Sequence, residues 1–138
     1  MVSFFNNNIC YVFKYDFSLP PLTMYKLVEE TQKRMQPFSN VNTVVGFGHL
    51  GDQNLHLNIT VKNGYSDEIK HALEPWLYEW VAKEHGSVSA EHGLGIHKSK
   101  YLQLNKGKQS LDLMKQMKNM FDPKCILNPY KVLPYKTD

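Results

Sequence analysis

The sequence predicts an α+β fold: a ferredoxin-like antiparallel sheet of βαββαβ order with helices on one face, followed by a C-terminal helix and an irregular tail. Three observations carry this reading. Leu55, Leu57, Ile59 and Val61 alternate with His56, Asn58 and Thr60, the period of a half-buried strand. Ile69, Ala72, Leu73, Trp76, Leu77, Trp80 and Val81 recur at three- and four-residue spacing, the period of an amphipathic helix. Strand-like and helix-like runs also follow one another in the order strand, helix, strand, strand, helix, strand, which is the split βαβ pattern.

Taken in order, residues 1–8 form a lead-in that turns polar at Asn6 to Asn8. The β-branched and aromatic run 9–15 is a strand. Leu19-Pro20-Pro21 ends it, since neither proline can donate to a ladder. Strong helix formers over about 23–35 align Met24, Leu27, Val28 and Met35, with a gap in the stripe at Thr31. "NTVVGFG" and "NLHLNITV" are two strands joined by a Gly-Asp-Gln-Asn turn. A helix over 66–85 starts at Ser66, whose hydroxyl suits an N-cap, with Asp67 and Glu68 complementing the positive helix start. Pro75 predicts a kink one turn upstream, and Gly86 a stop. "GSVSAEHGLG" supplies a short extended segment. A last helix over about 108–121 ends at Asp122-Pro123, and "ILNPYKVLP" closes the chain. Met114, Met117 and Met120 lie at helical spacing and read as core, as do Trp76 and Trp80.

A length of 138 residues allows one domain, or a piece of a larger protein, and 42% hydrophobic content suffices for an ordinary core. Sixteen Lys+Arg against thirteen Asp+Glu leave a charge of +3. Arg34 is the only arginine, which argues against nucleic acid, because base and phosphate recognition favours arginine forks and basic clusters. Cys10 and Cys125 fit no metal, redox or disulfide spacing. No run reaches membrane-span length, and the start carries no targeting signal.

The chemistry concentrates around "GHLGDQNLHLN". A turn needs Gly, Asp and Asn for its backbone but has no need of histidine, and His49 and His56 flank this one. Alternation puts His56 and Asn58 on the same, non-core side of the sheet. "SAEHG" adds Glu91 and His92. Zn²⁺ commonly takes two histidines and a carboxylate in sites that keep one position open, so His49, His56 and Glu91 are candidate ligands. From spacing alone, solvated hairpin histidines remain the alternative. Lys14 lies inside an apolar strand, either at an outward position or as a cation awaiting an anionic substrate group. His71 reads as solvated, His85 sits near a helix C-terminus where positive charge is favoured, neither is assigned a function, and His97 is undetermined.

Together "KYDFSLP", "VVGFGHLGDQNLHLN", "YEWV", "GSVSAEHGLG" and "ILNPYKVLP" resemble the C-terminal domain of the flavin-linked D-2-hydroxyacid dehydrogenases. The resemblance covers about residues 13–134, so residues 9–138 are expected to be this FAD-linked oxidase C-terminal domain. It implies that His49, His56 and Glu91 bind a divalent metal, typically zinc, and that Asn58 contacts substrate. It further implies that His92 is the active-site base, that Lys14 pairs with a substrate carboxylate, and that Asn128 approaches the flavin. The implied substrate is a small 2-hydroxy acid. The ending "ILNPYKVLP" favours the branch that oxidises D-2-hydroxyglutarate to 2-oxoglutarate over the lactate and glycolate branches. FAD would be held mainly by a flavin-binding domain that precedes this region in the family and has no counterpart here, so the chain alone is expected to be inactive, or to act only as a binding module. A mitochondrial location is implied if the source is eukaryotic. The chain departs from the family at Gln53, where glycine is common; a left-handed residue there would cost Gln roughly 1 kcal/mol relative to Gly.

Overall fold

The computed structural model describes residues 2–5 and 8–134. It confirms an α+β fold and divides into two compact units, residues 1–91 and 92–138. Of the expected lead-in, Met1, Asn6 and Asn7 lie outside the described residues.

The first unit is a four-stranded antiparallel sheet of strands β1 (Val2–Phe5), β2 (Asn8–Ser18), β3 (Val41–His49) and β4 (Asn54–Lys62), in the order β1-β2-β4-β3. Helix α1 (Pro21–Met35) follows β2, and α2 (Asp67–Leu73) and α3 (Trp76–Lys83) follow β4. Three strands keep the first-third-second arrangement of the split βαβ pattern. The expected last strand does not form. "GSVSAEHGLG" contributes one isolated bridge, in which Ser18 N–H donates to Ser87 O at 3.2 Å and Ser87 N–H to Ser18 O at 2.8 Å. β1 pairs with the earlier part of the same β2 edge, Val2 opposite Tyr11 and Phe5 opposite Asn8. The short apolar run "VSFF" therefore supplies the fourth strand in place of the segment after α3.

Strand alternation builds the core. Phe13, Tyr15 and Phe17 of β2 and Leu55, Leu57, Ile59 and Val61 of β4 are each at most 5% exposed. The helices contribute Leu27, Val28, Ile69, Leu73, Leu77 and Val81, all buried. Gly46 lets α1 approach β3, since a Cβ there would lie 2.5 Å from Val28 Cγ2. The gap at Thr31 is no defect: its hydroxyl donates to Leu27 O at 2.7 Å, so a fully buried threonine satisfies its own polar group.

The single helix expected over 66–85 is two. Ser66 Oγ accepts from Ile69 N–H at 3.3 Å, an N-cap as anticipated. The break falls at Glu74 itself, which is extended at φ −111°, ψ 134°, rather than a turn upstream. A residue before proline is pushed out of the helical region, and Pro75 has no N–H to continue the ladder. α3 stops with His85 in the left-handed region at φ 59°. Gly86 serves a different need, because a Cβ there would collide with the carbonyl oxygen of Ser18. Trp76 and Trp80 are half-buried rather than core, with the Arg34 guanidinium 4.6 Å from the Trp76 ring and Lys26 Nζ 6.0 Å from that of Trp80.

The second unit holds a 3₁₀ turn (Ser99–Tyr101), the short α4 (Leu102–Asn105) and α5 (Lys108–Phe121). Its core is Leu102, Leu111 and Leu133, with Leu94 and Met114 packed against them. Met117 and Met120, expected inside, are 50% and 69% exposed. Beyond α5, Asp122 accepts from the N–H groups of Ile126 and Leu127, both at 2.9 Å, and from Lys118 Nζ at 2.6 Å. The Lys118 ammonium, opposed by burial and helped by the two backbone N–H groups, holds this carboxyl below the usual carboxylate range. Among the described residues, no helix is long and apolar enough to cross a membrane.

Candidate metal centre

Register fixes which side chains share the face opposite the α1–α3 core, because residues directly opposite in antiparallel strands point the same way. Lys14 stands opposite Asn58, Asp16 opposite His56, and Ser18 opposite Asn54. On the other side of β4, Val45 faces Asn58, Phe47 faces His56, and His49 faces Asn54. The sheet thus carries three columns: Lys14 and Asp16 on β2, His56 and Asn58 on β4, and Val45, Phe47 and His49 on β3.

The turn between β3 and β4 makes this register possible. After the 3₁₀ turn Leu50–Asp52, Gln53 takes the left-handed conformation, φ 63° and ψ 25°, and its carbonyl accepts from Leu19 N–H at 3.0 Å. A backbone conformation that glycine adopts freely is therefore taken here by a glutamine, which tolerates it poorly. The turn brings the rings of His49 and His56 within 5.6 Å, edge to face at 81°.

Glu91 reaches the same place from the segment after α3. His56 Nε2 lies 3.1 Å from Glu91 Oε1, and His56 Nδ1 lies 3.9 Å from Asp16 Oδ1. The candidate ligand atoms of Asp16, His56 and Glu91 all lie within 4.8 Å of one another. Two ligands of a tetrahedral zinc ion sit about 3.3–3.6 Å apart, given metal bonds of about 2.0–2.2 Å, so the 3.1 Å His56–Glu91 pair, at hydrogen-bond distance, would open by a few tenths of an ångström to share an ion. An imidazole and carboxylates also match the donor preference of zinc and similar divalent ions. His49 is exposed, its ring centroid 5.6 Å from that of His56, and it falls outside the group of ligand atoms that lie within 4.8 Å of one another.

Of the residues singled out from sequence, Lys14, His49, His56, Asn58 and Glu91 are gathered on or over one sheet face of the first unit. His92, the next residue, is exposed and begins the second unit. Asn128, also in the second unit, has left-handed backbone (φ 50°) and lines an open groove of about 320 Å³ with Met114, Met117 and Lys131. Sequence reading passed over Asp16. Its carboxylate is fully buried and accepts at Oδ2 from Ser89 Oγ and Ala90 N–H, both at 3.0 Å, and from Glu91 N–H at 3.1 Å. The available signal was parity: in "KYD", Asp16 shares the outward face of Lys14 yet interrupts a strand whose neighbours are apolar.

A sheet face bearing imidazole, carboxylate, amide and lysine side chains gives this α+β domain a candidate metal centre. The chain belongs to the FAD linked oxidases, C-terminal domain family, whose model matches residues 1–132. It is 53% identical over 124 residues to the mitochondrial D-2-hydroxyglutarate dehydrogenase of Rattus norvegicus, covering 90% of this chain and 23% of that protein. It is 47% identical to the enzyme of the same name in Arabidopsis thaliana, covering 90% and 22%. A Schizosaccharomyces pombe relative, provisionally named a mitochondrial D-lactate dehydrogenase, is 48% identical over 87% of this chain and 24% of its own length. The chain spans about a quarter of the length of these relatives.

Proposed function

We propose that this chain is the substrate- and metal-binding part of an FAD-dependent dehydrogenase that oxidises D-2-hydroxyglutarate to 2-oxoglutarate. The observation that carries the proposal is the 3.1 Å approach of His56 Nε2 to Glu91 Oε1 on a sheet face that also presents Lys14 and Asn58. His56 and Glu91, with His49 beside them, hold a divalent ion, with zinc the first candidate. When bound, that ion supplies Lewis acidity toward the substrate hydroxyl. Lys14 pairs with a carboxylate and so selects a dicarboxylic acid, and Asn58 opposite it hydrogen-bonds the same substrate. His92 accepts the hydroxyl proton, a task suited to imidazole near neutral pH.

FAD is implied by the family, and the fit is different here. The sequence has no glycine-rich phosphate fingerprint between a strand and a helix, so its residues do not cradle a dinucleotide. Flavin binding belongs to further parts of the working enzyme, with Asn128 as this chain's contribution near it. The names of the rat and plant relatives also suggest a mitochondrial location.

The Schizosaccharomyces pombe relative supports a second reading, with D-lactate as substrate. Flavin reduction in the full-length enzyme separates the two. The proposal expects D-2-hydroxyglutarate to be preferred, and Lys14→Ala to lower kcat/KM for it about 10- to 100-fold while sparing D-lactate. A wild-type preference for D-lactate would select the other substrate.

A further inference from the structure

The Asp16 carboxylate is the best-connected polar group beside the candidate centre, and the proposed chemistry gives it no task. It has no exposure, yet it lies opposite His56 in register and three donors from residues 89–91 converge on its Oδ2. An oxygen already accepting three hydrogen bonds is poorly placed to ligate an ion. Its other oxygen faces His56 Nδ1 at 3.9 Å, while His56 Nε2 faces Glu91. One carboxylate thus holds the Glu91 backbone directly and stands beside His56, beyond hydrogen-bond distance, without taking the place of either candidate ligand.

We infer that Asp16 is a positioning residue for the metal centre. Oδ2 fixes the Ser89–Ala90–Glu91 backbone, and with it the Glu91 carboxylate, over the sheet. Groups behind the ligands that hold them in place support metal affinity alongside the ligands themselves. The inference rests on the reading of His56 and Glu91 as ligands, and its test separates the two.

Two measurements on wild type, Asp16→Asn and Asp16→Ala decide it. Amide exchange at Ala90 and Glu91 should accelerate in Asp16→Ala. Zinc affinity, by chelator competition, should fall about 10- to 100-fold in Asp16→Ala and by less in Asp16→Asn, whose amide oxygen can still accept from the same donors. Zinc affinity within twofold of wild type in a folded Asp16→Ala overturns the inference, as does amide exchange at Glu91 no faster than in wild type. Asp16→Asn keeps the side-chain shape, and a loss in it as large as in Asp16→Ala also overturns the inference. Failure of wild type to bind zinc contradicts the metal reading alone, because amide exchange still reports on the hold of Asp16 on Glu91.

Discussion

The backbone N–H of Glu91 donates to Asp16 Oδ2 at 3.1 Å, a bond between residues 75 positions apart. Through it the first long strand of the sheet locates the carboxylate that approaches His56. The candidate centre is therefore a tertiary product. β4 supplies the histidine, β2 the buried acid, and an irregular segment the second candidate ligand.

That segment needs a close approach at Gly86. A Cβ there would strike Ser18 O and lie 2.7 Å from Leu19 Cδ2 and 2.9 Å from Val81 Cγ1. Gly86→Ala should destabilise the protein by about 1–3 kcal/mol, as overpacking does. It should also weaken zinc binding by displacing residues 87–91. Denaturant unfolding and metal titration of one variant measure both effects, and wild-type stability would refute the packing account.

Gln53 holds a left-handed backbone where glycine is unstrained. Gln53→Gly should stabilise the protein by about 0.5–1 kcal/mol, the relief of left-handed strain less the extra freedom glycine gains when unfolded. A rise in denaturation midpoint at unchanged slope is the expected signature, and a fall would contradict it.

Asp122 gives a pH dependence of definite sign. Its folded pKa is depressed, first by Lys118, so its contribution is present above the unfolded carboxylate value and is lost as pH falls through the folded value. Asp122→Asn should therefore narrow the stability difference between about pH 5 and about pH 2.5, measured by thermal unfolding at each pH. An equal pH dependence in wild type and variant would show that the Lys118 pairing does not operate.

Local regularity was legible in the sequence. The alternation from Leu55 to Val61 revealed both strand and buried face, and it placed His56 and Asn58 on the opposite side. Long-range substitutions were not legible. Nothing local tells that "VSFF" takes the sheet edge, or that the segment after α3 pairs only at Ser87, because edge pairing is a competition between distant segments. Periodicity showed that Met117 and Met120 share a helix face but not what that face meets. The role of Asp16 was hidden for the same reason: its three donors lie 73 to 75 residues away.

Zinc titration by chelator competition of wild type and His56→Ala, at about pH 7.5 and about pH 5.5, tests the metal centre most directly. Wild type should bind one zinc ion per chain, more weakly at the lower pH because ligating imidazoles must be neutral. His56→Ala should lose about 100-fold or more, since loss of a supporting partner alone costs about 10- to 100-fold. Equal zinc affinity in the two proteins would contradict the assignment of His56 as a ligand and, with it, the centre built on the sheet face.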